Sequence, residues 1–315
     1  MDLLSRFTGS LLGLAVGDAL GAPVEFEPRG NFPPITDFRG GGPFNLKAGD
    51  WTDDTSLALC LAESLVEQRG FDPRDQAERY VRWWREGHLS CTGNCFDIGN
   101  TTKASLQRFL DTGNPYSGPI APETGSNGSL MRLAPVPLFF HAHPVDAVEY
   151  SGLSSKTTHG AAAAVDSCRY LGALITGALV GESKEALLAE RYEPARGIWE
   201  KKPLMPEVNA VASGSFRLSE PPEIKAAGTA VNTLEAALWA FNKGGSFEEG
   251  CLLAVNLGDD SDTVGAVYGQ LTGAHYGVEG IPVRWIKELS NAEIICDMAE
   301  KLFNASIDVN GPCGR

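Results

Sequence analysis

Two segments of the chain carry a glycine at every fourth position. The first contains Gly9, Gly13, Gly17 and Gly21, and the second contains Gly265, Gly269, Gly273 and Gly277. The surrounding residues predict helices, in which each internal glycine costs up to about 1 kcal/mol relative to alanine. A spacing of four places the glycines on one face, so each helix has a groove without side chains. The simplest explanation is tight packing against whichever element lies nearby.

A more specific hypothesis is that the two glycine faces pack against each other. Such packing would bring together the segments at the ends of the two helices, residues 18–25 and 260–263. Both segments contain acidic residues. The glycine spacing therefore raises the possibility of one site built from the two ends of the sequence.

Helical patterns dominate the rest of the chain, and period-two alternation is scarce. Only residues 208–218 suggest a short β-hairpin. The sequence therefore predicts an all-α protein in which residues 1–315 form a single domain. The predicted helices cover residues 3–20, 55–68, 73–87, 100–111, 144–151, 160–180, 183–190, 229–241, 247–256, 264–276 and 291–303.

Three loops rich in glycine and proline separate these helices, at residues 28–50, 114–128 and 201–222. Loops of this length without secondary structure are uncommon in compact domains unless they have a function. We therefore expect them to line a site or a docking surface.

Charge and cysteine content exclude several classes of protein. The formal net charge of −14 disfavours binding to nucleic acid, so an anionic ligand would need a local source of positive charge, such as divalent cations. Seven cysteines in a long chain do not suggest a disulfide framework, and Cys91 and Cys95 lack the second ligand pair of a zinc site.

Asp18 interrupts the apolar N-terminal stretch, and no run of about 18 apolar residues is evident. We expect a cytoplasmic monomer without a membrane span.

Two acidic blocks stand directly before predicted helices. The first acidic block is GDWTDDT at residues 49–55, and the second acidic block is GDDSDT at residues 258–263. Carboxylate and hydroxyl oxygens are hard ligands that suit Mg²⁺ or Mn²⁺. Helix capping explains a single such block equally well, because Asp and Thr side chains accept hydrogen bonds from the first backbone N–H groups. Two blocks with more acid than a cap requires favour a metal site.

Together with other stretches, these blocks resemble the ADP-ribosylglycohydrolase family, and in particular the bacterial ADP-ribosyl-dinitrogen reductase hydrolases. The N-terminal stretch is GLAVGDALGAPVE at residues 13–25. Further stretches are TGNCFDIGNTT at 92–102, SNGSLMR at 126–132 and TTH at 157–159. The resemblance extends from about residue 5 to about residue 285. Each stretch alone is a weak signal, whereas the ordered set is specific.

The resemblance implies an orthogonal helical bundle with a dinuclear site of two Mg²⁺ or Mn²⁺ ions about 3.5–4 Å apart. The implied metal ligands are Thr52, Asp53, Asp54, Asp260, Asp262 and Thr263. The implied catalytic residues are Glu25, beside the metals, and Asp97, which would act on the substrate ribose. The implied contacts to ADP-ribose are Asn127, Gly128, Ser129, Met131 and His159.

Residue type alone gives simpler explanations for some of these positions. Asp97 would serve as a turn former before Gly99, and a lone histidine such as His159 is more often structural than catalytic. Asp18 would cap or bond a neighbouring backbone rather than take part in chemistry.

The function implied by the resemblance is hydrolysis of the N-glycosidic bond between ADP-ribose and an arginine on a protein target. Several alternatives remain open. They include another ADP-ribosyl conjugate (ADP-ribosyl-serine, O-acetyl-ADP-ribose or ADP-ribosyl-guanidine), a non-catalytic ADP-ribose binder and a metal-dependent phosphohydrolase. The sequence does not distinguish among the conjugates, because selectivity would depend on the long loops.

Overall fold

A computed structural model describes residues 1–310. Within this range there is no β-strand, and only two isolated antiparallel bridges occur, Gly41 with Leu46 and Ser126 with Thr229. The helices are α1 (Leu3–Gly21), α2 (Asp53–Gln68), α3 (Pro73–Glu86), α4 (Asn100–Thr112), α5 (Pro135–Phe139), α6 (Pro144–Lys156), α7 (Ala162–Leu179), α8 (Lys184–Leu187), α9 (Ile198–Lys201), α10 (Pro206–Ala212), α11 (Ala230–Lys243), α12 (Phe247–Val255), α13 (Ser261–Tyr276), α14 (Val283–Glu288) and α15 (Ala292–Asn310).

The predicted all-α class is confirmed, but the predicted hairpin at residues 208–218 is wrong. That segment contains α10 and a 3₁₀ turn at Ser215–Arg217. Pro206 occupies the first turn of α10, where its fixed φ favours a helix. The apolar residues Val208, Val211 and Ala212 follow at helical spacing and are buried. The same residues also approximate an alternating pattern, which explains the error.

The two glycine faces pack directly against each other, which confirms the more specific hypothesis. A Cβ atom placed on Gly13 would lie 2.4 Å from the carbonyl oxygen of Gly269, and one placed on Gly269 would lie 1.9 Å from that of Gly13. Gly17 meets Gly265 in the same way, with a distance of 2.0 Å. Real Cβ atoms do not approach backbone atoms this closely, so every side chain larger than hydrogen would separate α1 from α13.

The α1–α13 pair lies at the centre of the molecule, with α7, α11, α12 and α15 packed around it. By length and composition, residues Leu3–Val24 pass the test for a membrane-spanning helix, with a mean hydropathy of 1.3. Arg6 and Asp18 interrupt this stretch, and the absence of a membrane span stays a prediction. In this stretch, 94% of the most apolar 18-residue window is buried inside the protein, so these apolar side chains form part of the core of the fold.

Packing of α1 along α13 also brings the two predicted site segments together. Ser261, at the start of α13, donates a hydrogen bond from its hydroxyl to the carbonyl oxygen of Gly21 at the end of α1 (3.0 Å). The chain then passes through a 3₁₀ turn at Ala22–Val24 and reaches Glu25. Glu25 and the second acidic block therefore lie at the same end of the central helix pair.

Candidate active site

One cavity of about 870 Å³ opens at this end of the central helix pair. Both acidic blocks contribute to it, although some two hundred residues separate them along the chain. The cavity is lined by ten of the residues named from the sequence: Glu25, Asp53, Asp97, Asn127, Gly128, Met131, His159, Asp260, Asp262 and Thr263. Three others, Thr52, Asp54 and Ser129, do not line it.

The first acidic block is held by a carboxylate from the first helix. Asp18 is completely buried, and its oxygens accept hydrogen bonds from the backbone N–H of Thr52 (2.9 Å) and from the N–H (3.0 Å) and hydroxyl (2.6 Å) of Thr55. Thr52 itself is the N-cap residue of α2. Asp18 and Thr52 therefore cap the start of α2, which is the structural role expected for Asp18. The carboxylates of Asp53 and Asp54 are not needed to cap this helix.

The second acidic block is held by an amide and by backbone hydrogen bonds. The side-chain nitrogen of Asn127 donates to Asp260 Oδ2 (2.7 Å) and to the hydroxyl of Thr233 (2.9 Å). One hydrogen bond from the Asn127 amide thus orients Asp260, and the other fixes the amide itself against Thr233. The backbone N–H of Phe26 donates to the carbonyl oxygen of Asp259 (2.7 Å), which joins the segment after α1 to the segment before α13.

Three carboxylates from distant parts of the sequence form the centre of the cavity. Oxygen atoms of Glu25, Asp97 and Asp262 all lie within 4.8 Å of one another. The buried atoms Glu25 Oε2, Asp54 Oδ1 and Asp262 Oδ1 have no hydrogen-bond partner. Buried carboxylate oxygens without partners are energetically unfavourable, and a divalent cation would compensate them. The donor set, all oxygen, fits Mg²⁺ or Mn²⁺.

Burial and mutual repulsion keep these carboxyl groups protonated to unusually high pH. Burial, together with the charges of Asp97 and Asp260, raises the pKa of Glu25 to about 9. Burial likewise raises the pKa of Asp97 to about 7. The pKa values of Asp53, Asp54 and Asp262 are raised well above the usual range, chiefly by burial and also by neighbouring carboxylates. The charge of Asp54, from the first block, contributes to the raised pKa of Asp262, from the second block, as expected for groups in one site.

The part of the cavity lined by Gly128 and His159 is organised by a buried arginine. Arg132 is completely buried, and its guanidinium donates hydrogen bonds to the carbonyl oxygen of Gly128 and to the hydroxyl of Thr158 (both 2.7 Å). It thereby fixes the turn at Gly128 beside His159. A Cβ atom on Gly128 would lie 2.9 Å from the imidazole of His159, so the turn requires glycine. Burial lowers the pKa of His159 to about 3, so the imidazole is neutral.

The side chain of Ser129 points away from the cavity. Its hydroxyl contacts the hydroxyl of Ser155 (2.8 Å) and the thiol of Cys168 (3.5 Å) in the core. Thr52 and Asp54 are buried and do not line the cavity, and the Thr52 hydroxyl donates a hydrogen bond to Asp54 Oδ2 (3.2 Å).

Several lining residues were not singled out by sequence reasoning, and two of them, Lys225 and Phe26, carry side chains suited to contacting a ligand. Among the described residues that line the cavity, Lys225 is the one lysine or arginine. Phe26 lies at the rim of the cavity, with 66% of its surface exposed. No motif marks Lys225, which follows the predicted loop at 201–222 rather than lying in it. Phe26 directly follows Glu25 and adopts a positive φ of 64°, which sequence patterns do not indicate for a phenylalanine. Of the three predicted loops, only 114–128 contributes lining residues.

Comparison with known proteins assigns the chain to a family. A profile of the ADP-ribosylglycohydrolase family matches residues 1–311. The chain belongs to this family. It is therefore an enzyme, an ADP-ribosylglycohydrolase, and the resemblance inferred from the motifs is confirmed.

Several relatives of the ADP-ribosylglycohydrolase are similar along most of their length. The chain is 42% identical to the ADP-ribosylarginine hydrolase Tri1 of Pseudomonas putida, covering 98% of this chain and 80% of that protein. It is 30% identical to the ADP-ribosyl-[dinitrogen reductase] glycohydrolase of Rhodospirillum rubrum, covering 90% of each. A solved structure described as an ADP-ribosylglycohydrolase-related protein complex superimposes with a TM-score of 0.85 at 48% identity, covering 97% of this chain and 99% of that one.

The carboxyl pKa values predict how the stability of this ADP-ribosylglycohydrolase depends on pH when divalent cations are removed. In an unfolded chain these carboxyl groups have pKa values near 4, whereas Asp97 and Glu25 in the folded protein have values of about 7 and about 9. Between these values the folded state holds protons that the unfolded state has released. The free energy of unfolding therefore decreases as the pH rises through this window.

We expect the melting temperature in EDTA to fall by several degrees between about pH 6 and about pH 8.5. Excess Mg²⁺ or Mn²⁺ should reverse most of this loss at the higher pH, because a ligand that binds only the folded state stabilises it. The melting temperature is measured by differential scanning calorimetry at the two pH values, with and without metal. A melting temperature in EDTA that rises over this window would contradict the protonation of the cluster.

Proposed function

We propose that this enzyme hydrolyses the N-glycosidic bond of ADP-ribosyl-arginine on a protein target, with two Mg²⁺ or Mn²⁺ ions as cofactors. The observation that carries the proposal is the convergence of Glu25, Asp97 and both acidic blocks on one cavity, with buried carboxylate oxygens that lack partners. Similarity to a protein named as an ADP-ribosylarginine hydrolase supports the choice of linkage.

The proposed metal ligands are Thr52, Asp53, Asp54, Asp260, Asp262 and Thr263, with Glu25 beside them. Bound divalent cations would polarise the ribose hydroxyl oxygens and lower the pKa of a water molecule. Asn127 keeps Asp260 oriented through its amide, and Asp18 keeps the first acidic block in place through the start of α2. The chain's own residues thus fix the acidic groups before any substrate binds.

Glu25 and Asp97 are the proposed proton-transfer pair. Oxygen atoms of the two carboxyl groups lie within 4.8 Å of each other, so one can hold a proton while the other accepts one at the same reacting centre. In the reaction, water adds to the anomeric carbon as the bond between this carbon and the guanidinium nitrogen breaks. Asp97 would accept the proton of the water, and Glu25 would donate a proton to the departing guanidine.

The rim of the cavity favours a cationic leaving group. The exposed ring of Phe26 lies next to Glu25 in the sequence, and the backbone of Phe26 is tied to Asp259. A planar guanidinium can stack on an aromatic face while neighbouring carboxylates balance its charge. A serine conjugate offers no such cation. This arrangement supports arginine over serine as the modified residue.

Lys225 and the backbone of the turn at Gly128 are suited to binding a diphosphate. Lys225 supplies the local positive charge that an acidic chain needs for an anionic ligand. The backbone N–H groups of the turn at Gly128 and Ser129, which Arg132 fixes in place, would bind phosphate oxygens. Met131 and the neutral His159 would contact the ribose–diphosphate region.

The test is product identification by mass spectrometry. The protein, freed of metal by chelation, is incubated with arginine-ADP-ribosylated protein and with a serine-ADP-ribosylated peptide, each with and without added Mg²⁺ or Mn²⁺. We expect intact ADP-ribose and unmodified arginine, formed only with metal and only from the arginine conjugate. AMP or phosphate as product would indicate a phosphohydrolase instead, and binding of ADP-ribose without turnover would indicate a non-catalytic binder.

A further inference from the structure

A second, open groove of about 560 Å³ adjoins the mouth of the cavity. It is lined by six residues at the end of α3 and along α4: Trp84, Arg85, Asn100, Lys103, Ala104 and Gln107. Asn100 lines both the groove and the cavity, so the two are continuous at the surface. We call this surface the rim groove.

The sequence of α4 separates an inner face from the face that forms the rim groove. Residues 100, 103, 104 and 107 follow helical spacing and lie on one side, where all four are exposed. The inner side, which includes Ser105, Leu106 and Phe109, is buried. The groove is therefore an outward-facing helix surface that begins at the active site.

The rim groove is positively charged in an otherwise acidic protein. Neither Arg85 nor Lys103 forms an ion pair with another described residue, and no carboxylate lines the groove. The guanidinium of Arg85 lies over the ring of Trp84, 3.9 Å from its centroid, so its charge is held in place beside an apolar surface. Unpaired cations of this kind contrast with the net charge of −14 of the whole chain.

Neither of the nearby acidic residues Glu86 and Asp111 forms an ion pair with Arg85 or Lys103. Glu86 pairs with Arg82 (3.6 Å) on the adjacent part of α3, and Asp111 accepts a hydrogen bond from Gln107 (2.9 Å) at the far end of α4. The positive charges of Arg85 and Lys103 are therefore available to an external anion.

We propose that the rim groove binds an acidic segment of the ADP-ribosylated protein, flanking the modified arginine. This inference rests on the proposed function, because a modified arginine in the cavity places the neighbouring residues of its carrier on the rim. An open surface of exposed side chains suits an extended peptide. Charged residues at the edge of an interface act mainly on association and selectivity, and here they would favour acidic carriers that the rest of this acidic surface repels.

The test compares two ADP-ribosyl-arginine peptides that differ only in having Glu or Gln residues beside the arginine, with free ADP-ribosyl-arginine as a third substrate. The variant is Lys103→Glu. The matched control is Lys287→Glu, an exposed residue of α14 outside the cavity and the groove. Each substitution replaces one positive with one negative charge, so both change the net charge from −14 to −16 (−14 − 2).

At low salt we expect the wild-type protein to prefer the Glu peptide over the Gln peptide by about tenfold in kcat/KM, and K103E to lose this preference. K287E should retain it. Absence of a preference in the wild type, or its loss in both variants, overturns the proposal. A fall in kcat/KM of K103E that is equal for all three substrates also overturns it, since Lys103 would then act on the ADP-ribose part.

A binding measurement separates this proposal from the proposed function. Fluorescence anisotropy with the unmodified, labelled Glu peptide reports docking without any hydrolysis. Weaker binding by K103E than by the wild type and K287E supports docking at the rim groove, whereas equal binding by all three proteins overturns it. Failure of the wild type to release ADP-ribose from any of the three substrates contradicts the proposed function, independently of the binding result.

Discussion

Replacement of Asp262 by asparagine is expected to lower kcat/KM by about 10³-fold and, in the presence of EDTA, to raise the melting temperature. Asp262 is buried, lies in the group with Glu25 and Asp97, and has an oxygen without a partner. The loss of one charged group aimed at the reacting centre typically costs about 10²–10³-fold in rate, and loss of a metal ligand adds to this. Without metal the same carboxylate is only an electrostatic burden, because burial and its neighbours raise its pKa well above the usual range. Its removal therefore stabilises the metal-free fold.

The opposite signs of the two effects distinguish this prediction from general damage to the fold. Asp166→Asn provides the matched control, because Asp166 is also a buried aspartate but binds Arg169 (2.7 Å) and the backbone N–H of Met205 (2.7 Å) away from the cavity. D166N should lower the melting temperature and leave kcat/KM within about threefold of the wild type, since it weakens a buried ion pair. Retention of more than about a tenth of the activity by D262N in saturating metal would remove Asp262 from the proposed machinery.

Local sequence patterns predicted most of the helices, because apolar periodicity and capping residues act over a few residues. The start of α3 follows Asp72 and Pro73 as predicted, and Asp72 accepts hydrogen bonds from the N–H groups of Arg74 and Asp75. The short helices α5, α9 and α14 were not predicted. Helices of four to six residues contain too few turns for a periodic signal, and their stability depends on tertiary packing.

The candidate site could be predicted only where chemistry is concentrated in a short stretch. The acidic blocks were recognisable because adjacent carboxylates are unfavourable without a cation. The positions of Phe26 and Lys225 and the orientation of Ser129 away from the cavity were not predicted, because each depends on how loops distant in sequence meet in three dimensions. The glycine spacing was the one long-range signal, since a face without side chains has to be matched by an equally smooth surface.

The same glycine contact yields the largest expected effect on stability. Gly269→Ala should destabilise the protein by about 4 kcal/mol or more, at the upper end for a single substitution. Helix propensity alone would favour alanine by up to about 1 kcal/mol. That gain is outweighed because the new methyl group would lie 1.9 Å from the carbonyl oxygen of Gly13, and neither backbone can move without separating α1 from α13.

Gly70→Ala is the control for the loss of glycine itself, because the nearest atom to a Cβ at Gly70 lies 4.0 Å away and its φ is not positive. Urea unfolding monitored by circular dichroism should show a large decrease in the free energy of unfolding for G269A, and a change within about 0.5 kcal/mol for G70A. Saturating metal should restore little of the loss in G269A, because the substitution separates the two helices whose ends carry Glu25 and the second acidic block. A G269A protein as stable as the wild type would mean that the two helices are not in direct backbone contact. The physical basis for bringing the acidic blocks into one site would then be lost.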